Sequence, residues 1–182
     1  MQEIQFITGN PGKFREASAL IPSLQQLDLD LPEIQSLDPK EVIENKLQAA
    51  QKLSPGEYIV EDTSLFLDGI NGFPGPLIKW LLKAVGTSGI FDLVNNIGDY
   101  NATAVTMIGY LNSEGDIQYF KGELHGKIAK PIGETGQGFG WDEVFKPDGI
   151  DETFAEMGDE LKAQFSMRTQ AFNQLSDYLQ SK

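Results

Sequence analysis

The chain predicts an α/β fold built on a mixed sheet flanked by helices. Short apolar runs such as 4–7 and 58–60 are interspersed with stretches of helical period, the pattern of strands joined through helices. Two longer runs, 103–111 and 116–124, flank Asn112-Ser113-Glu114-Gly115 and read as a hairpin. A hairpin brings antiparallel strands into the sheet, which makes it mixed.

The elements follow in order. Residues 3–8 read as a buried strand, and 12–21 as a helix stopped by Pro22. Residues 26–31 alternate polar and apolar, a second strand with one buried face. A helix runs from Pro39 to Leu53, with proline in the first turn, where its missing N–H costs least. Ser54-Pro55-Gly56 ends it. A third strand, Tyr58-Ile59-Val60, delivers Glu61-Asp62-Thr63 at its C-terminal end, the ligand-facing position of α/β sheets. Residues 68–76, rich in Gly and Pro, form a shaped loop. Helical segments at 77–84 and 88–97 precede the hairpin. A glycine-laden loop covers 133–141, and helices at 158–165 and 169–180 close the chain. With no internal repeat and no linker, residues 1–182 are expected to form a single domain.

A length of 182 residues with 40% hydrophobic content suffices for one well-buried core. No window of about 18 apolar residues suggests a membrane span, and no basic-then-apolar leader precedes the first strand. The absence of cysteine excludes disulfides and thiol chemistry and fits a cytoplasmic enzyme. A net charge of −13 argues against a general nucleic-acid binder, which needs a broad basic surface. It leaves room for a small polyanion held by a few gathered lysines. Only two arginines occur, Arg15 and Arg168.

The chemistry starts at Thr8-Gly9-Asn10-Pro11-Gly12-Lys13. A strand that ends on small residues and feeds a helix start leaves backbone N–H groups aimed at one spot, which attracts phosphate, and Lys13 adds charge at the rim. An ordinary tight turn is the competing reading. The turn is not a Walker A loop, because Phe14 follows Gly12-Lys13 where a hydroxyl residue would hold magnesium. Metal ligands must then come from elsewhere: Asp62 is one candidate and Glu33 a second, since magnesium takes few protein oxygens and fills the rest with phosphate and water. Both acids could equally be solvated strand-end charges. Lys46, Lys79 and Lys162, each in its own segment, read as pocket or as surface lysines. Phe139 and Trp141 suit either a core or a stacking platform for a nucleobase. Ser166 is a candidate helix cap. His125, the one histidine, reads as a surface residue, so a Ser–His–Asp or Cys–His hydrolase is a poor fit.

Together these segments resemble the inosine triphosphate pyrophosphatase family of hydrolases that act on non-standard purine nucleotides. The matching segments are Thr8-Gly9-Asn10 with Lys13; Val60-Glu61-Asp62-Thr63-Ser64-Leu65; Gly72-Phe73-Pro74-Gly75-Pro76 through Lys79-Trp80; Gly138-Phe139-Gly140-Trp141-Asp142; Phe154-Ala155-Glu156-Met157; and Ser166 with Arg168. They span essentially the whole chain in the family's order, and the stretch 72–80 looks close to eukaryotic members.

The resemblance implies a two-lobed fold with a long curved mixed sheet and an active cleft between the lobes. It implies a homodimer, Mg2+ dependence, and hydrolysis of inosine triphosphate (ITP), its deoxy form (dITP) or xanthosine triphosphate (XTP) to the monophosphate and pyrophosphate. Thr8, Gly9, Asn10 and catalytic Lys13 would hold the triphosphate, with Lys46 and Lys79 adding charge along it. Glu33 and Asp62 would hold magnesium, or Asp62 would activate the water. Thr63 and Gly140 would contact substrate, Phe139 and Trp141 would line the base pocket, and Asp142, Lys162, Met167 and Arg168 would surround base and sugar. One position departs from the family: Ser-His-Arg is the usual string, and here it is Ser166-Met167-Arg168. A thioether is only a weak acceptor, whereas imidazole can donate or accept. That departure keeps two alternatives in view: a pyrophosphatase of altered base preference, and a nucleotide-binding protein with weak or no catalysis.

Overall fold

The computed structural model describes residues 4–131 and 140–181. Seven strands form one sheet in the order β2-β1-β3-β5-β6-β7, with β4 paired to β3. The strands are β1 (Ile4–Ile7), β2 (Gln25–Leu27), β3 (Glu57–Leu67), β4 (Pro74–Gly75), β5 (Asn101–Leu111), β6 (Ile117–Ile128) and β7 (Phe145–Pro147), and the helices are α1 (Pro11–Leu20), α2 (Pro39–Leu53), α3 (Ile78–Ile97), α4 (Phe154–Phe165) and α5 (Met167–Gln180). β1 runs parallel to β2 and β3. β4 and β7 pair antiparallel with β3 and β6. The mixed sheet flanked by helices is the architecture that the sequence predicts.

Local chemistry sets most boundaries. Asn10 caps α1 by accepting from the N–H groups of Gly12 and Lys13, and Asp38 caps α2 through Lys40 N at 2.8 Å. Each cap is followed by proline, which has no N–H to strand. α3 is broken at Gly86, whose φ of 68° only glycine adopts readily; the two segments expected there are therefore real. α4 starts earlier than expected, at a capping box in which Thr153 and Glu156 satisfy each other's backbone N–H. Gly158, at φ 73°, breaks it at the residue where the sequence suggested a start.

Three further expectations change. β2 stops at Leu27, where Leu27 O takes the N–H of Thr8. The alternation to Leu31 is nevertheless meaningful, because Leu27, Leu29 and Leu31 all pack on one cluster without strand pairing. β3 continues to Leu67, since Leu65 and Leu67 are fully buried and β4 pairs with Leu65 and Phe66. Glu61-Asp62-Thr63 therefore lie within a strand and not at its end. β7 has only three residues, too few to show a period.

The chain divides into two compact units. The first takes residues up to Thr63, then Thr106–Gly122 and Met167 onward; the second takes Ser64–Val105 and Glu123–Ser166. β3, β5 and β6 contribute residues to both.

In the first unit the pleat sorts side chains to two cores. Ile59, Ile108 and Tyr110 pack with Phe6, with Ala17 and Ile21 from the α1 segment, and with Ala171, Phe172 and Leu175 of α5. Tyr58, Val60 and Leu111 pack with Ile43, Leu47 and Ala50 of α2. In the second unit Ile90 and Val94 of α3 are buried, and Trp141, Phe145 and Phe154 form an aromatic cluster with centroids 5.1–6.2 Å apart. No described helix is long and apolar enough to cross a membrane.

Candidate active site

The turn after β1 is folded in on itself more than its sequence suggests. Thr8 Oγ1 accepts from Asn10 N at 3.1 Å. Asn10 Oδ1 accepts from Gly12 N at 2.9 Å and from Lys13 N at 3.2 Å. Asn10 O takes the N–H of Phe14. The expected cradle of open amides is thus filled by the turn's own side chains, the ordinary satisfaction of a helix start. The same bonds define what the turn can offer an anion. With its carbonyl oxygen pinned inward, the Asn10 amide presents Nδ2–H2, and the Thr8 hydroxyl keeps its own proton to donate. Beside them stands Lys13, whose side chain is 20% exposed.

Lys13 reaches inward to Glu61, Nζ to Oε1 at 3.1 Å. Glu61 is the hub of the first unit. Arg168 Nε donates to its two oxygens at 3.2 and 3.1 Å, Arg168 Nη2 donates to Oε1 at 3.2 Å, and the Thr63 hydroxyl donates at 2.7 Å. Arg168 Nη2 also reaches Thr63 Oγ1 at 3.3 Å, and Nη1 donates to Glu16 Oε2 at 2.7 Å. Burial by itself would raise the Glu61 pKa; the Arg168 and Lys13 charges and the hydrogen bonds from Arg168 and Thr63 outweigh it and lower it to about 2. Burial likewise works to lower the pKa of Arg168, and the charges of Glu61 and Glu16 more than reverse it.

Sequence reasoning selected Asp62 and passed over Glu61 and Glu16. A signal existed: a carboxylate directly after an apolar strand run must be paired if it is buried. With two arginines in the chain, the partner was restricted to few candidates.

Arg168 is held in place from behind. α5 begins against β6, and Gly122 lacks the side chain that would overlap the carbonyl oxygen of Met167. Met167 itself is 2% exposed.

Asp62, also buried, is the next residue on β3. The alternation that sends Ile59, Glu61 and Thr63 toward α1 and α5 sends Asp62 with Tyr58 and Val60 toward α2. Lys46, on α2, forms an ion pair with the exposed carboxylate of Glu33. The structure therefore joins Lys13 to Glu61 and Lys46 to Glu33, and register places Asp62 on the α2 side. The strand-end solvated reading fails for Asp62. Among the described residues no group of three or more His, Cys, Asp or Glu is assembled for a metal. Glu33 and Asp62 carry hard oxygen donors, the type that magnesium takes, and Glu33 already accepts a cation.

The remaining candidates lie in the second unit. Lys162 is no surface lysine: it is buried, donates to Asp142 Oδ2 at 2.6 Å, and lies 4.9 Å from the Phe154 ring centroid. Trp141, 6% exposed, packs edge-on to Phe145 and stacks on Phe154, the core placement. Phe139 lies outside the described residues. Gly140 turns the chain at φ 66°. Lys79 is exposed, 5.6 Å from the Trp80 ring. His125 is exposed and bonds Thr103 Oγ1 and Glu123, a surface arrangement as expected.

A buried carboxylate shared by two cations, beside a lysine-bearing helix start on a mixed α/β sheet, marks an α/β protein with a charged cluster at the end of its first strand. The comparisons make that class specific. The Ham1 family model matches residues 4–178, and the chain belongs to this family. It is 41% identical to an inosine triphosphate pyrophosphatase of Kluyveromyces lactis, over 97% of this chain and 95% of that protein. It is 35% identical to a dITP/XTP pyrophosphatase of Methanopyrus kandleri, over 97% and 95%. The solved structure of the Staphylococcus aureus Ham1 protein superposes with a TM-score of 0.81 at 28% identity, covering 99% of each chain.

Proposed function

We infer that this protein is a nucleoside triphosphate pyrophosphatase that hydrolyses ITP, dITP and XTP to the monophosphate and pyrophosphate. Its near full-length likeness to pyrophosphatases of that specificity supports the reading. The single structural observation that supports it is the turn from Thr8 to Lys13, where a hydroxyl and an amide, each with donor capacity left after accepting from the turn's own N–H groups, are carried at the helix start that also bears Lys13.

The proposed mechanism places water in line with the α-phosphorus, with pyrophosphate as leaving group. Lys13, Asn10 and Thr8 hold the phosphate chain, and Lys46 and Lys79 add charge along it. Glu33 and Asp62 would hold Mg2+, which when bound neutralises charge that builds on the phosphate oxygens. Asp62 also orients the attacking water. Most of the acceleration then comes from positioning and preorganised charge. The resemblance assigns Gly140, Trp141, Asp142, Lys162, Met167 and Arg168 to base and sugar, and Thr63 to the substrate; we keep those assignments as proposals. A homodimer in the cytoplasm is part of the same proposal.

The test is a pyrophosphate-release assay with Mg2+ across ITP, XTP, dITP, ATP, GTP and dTTP. The reading requires the first three to turn over at least about tenfold faster than the others, a margin that one buried hydrogen bond can supply. Equal rates, or a preference for dTTP, would refute it. Tight ITP association without any pyrophosphate release would point to a binding protein instead. Asp62→Asn should lose most activity while its fold survives.

A further inference from the structure

Lys13 and Arg168, carried by different helices, share one acid, Glu61. Its side chain is 1% exposed, so no solvent relieves the competition between them. Lys13 bonds Oε1 at 3.1 Å, and Arg168 takes the same oxygen through Nε and Nη2, both at 3.2 Å. Arg168 spends a second contact on Oε2 at 3.1 Å, one on Thr63 and one on Glu16. Four of the five guanidinium N–H groups are thereby engaged within the protein. Only the Lys13 end of this chain of charges reaches solvent appreciably through a cation, at 20% exposure against 7% for the Arg168 side chain.

We propose that Glu61 is a positioning residue that couples Lys13 to Arg168. When a phosphate chain takes a share of the Lys13 ammonium, the Lys13–Glu61 attraction weakens and the carboxylate falls more fully to Arg168. The guanidinium is then held more firmly by Glu61, Thr63 and Glu16 than in the free protein. Phosphate occupancy at the turn therefore fixes the orientation of a side chain carried by a different helix. Linkage makes the effect reciprocal: whatever loosens Arg168 from Glu61 ties Lys13 more tightly and weakens phosphate binding. The proposal rests on the reading of Lys13 as a phosphate ligand, and it requires no assumption about which base is bound.

The chain's two arginines make the test direct. Arg168 Nε–H is followed by 15N NMR in the wild type, assigned by loss of the other signal in Arg15→Lys, while inorganic tripolyphosphate is added. Calorimetry measures its binding in parallel. The expected result is a shift and slower solvent exchange of Arg168 Nε–H, saturating with the calorimetric affinity. In Glu61→Gln, which keeps one acceptor and loses the charge, tripolyphosphate should bind about tenfold tighter, because an opposing charge close to the site is gone. The Arg168 response should disappear in that variant. Binding of tripolyphosphate to the wild type with an unmoved Arg168 signal would overturn the coupling and leave the phosphate reading intact. Failure of tripolyphosphate to bind at all would overturn both. If Glu61→Gln does not fold, the wild-type titration decides alone. A purely structural role for Glu61 predicts weaker binding in the variant and no Arg168 response in the wild type.

Discussion

Arg168 and Glu61, 107 positions apart in the chain, meet in a buried ion pair in which one Nε–H is shared by two carboxylate oxygens. Neither group reaches enough solvent to be rehydrated if the other is removed. Leaving one charge of a buried pair without its partner costs about 3–5 kcal/mol. Lys13 and Thr63 stay on Glu61 when Arg168 is removed, so Arg168→Gln should lower the unfolding free energy in urea titrations by less than that, about 1–3 kcal/mol, and a loss below about 1 kcal/mol would show that the pair is effectively solvated.

Asn10 does two jobs that one substitution separates. Asp at this position caps a helix as well as Asn does, so Asn10→Asp should preserve the thermal midpoint. It replaces the outward Nδ2–H2 donor by a carboxylate oxygen facing the phosphate chain. Turnover of ITP should fall at least about a hundredfold, the scale of losing one preorganised donor to a developing anion. Retained activity in this variant would mean that the amide faces no phosphate.

Much of this site is readable from residues alone, and the part that is not has a physical reason. The helix starts at Asn10-Pro11 and Asp38-Pro39 were legible because capping chemistry is local: acceptor, then proline, then an apolar period. The buried role of Glu61 was less so. Nothing in Val60-Glu61-Asp62 tells which acid turns toward α1 and α5 and which toward α2, because that depends on the pleat's phase within the assembled sheet. The sequence leaves Lys162 between pocket and surface for the same kind of reason. Its partner Asp142 is twenty positions away, and only tertiary packing brings them together. β7 escaped because three residues cannot display a period.

Acid should weaken the fold through Glu61. Its folded pKa of about 2 lies below its ordinary 4.5, so the unfolded chain binds the proton first. The stability that this carboxylate contributes is complete above the ordinary value and is lost as pH falls from there toward the folded one. Urea midpoints taken from about pH 5.5 down to about pH 3 should fall for the wild type and change less for Glu61→Gln. Parallel curves would remove Glu61 as the acid-sensitive group.

Met167 occupies the position where the family resemblance expects histidine. It is 2% exposed, so a group there meets little competing water. Met167→His should restore a hydrogen-bonding edge and raise the preference for ITP over ATP about tenfold, within the 1–3 kcal/mol range of a buried hydrogen bond. Superimposable substrate profiles for the two proteins would show that this position does not read the base.

The most direct test of the account follows the oxygen of the attacking water. Hydrolysis of ITP in 18O-enriched water with Mg2+ should place the label in inosine monophosphate and leave pyrophosphate unlabelled, as attack at the α-phosphorus demands. Label found in pyrophosphate, or orthophosphate as the released product, would contradict it.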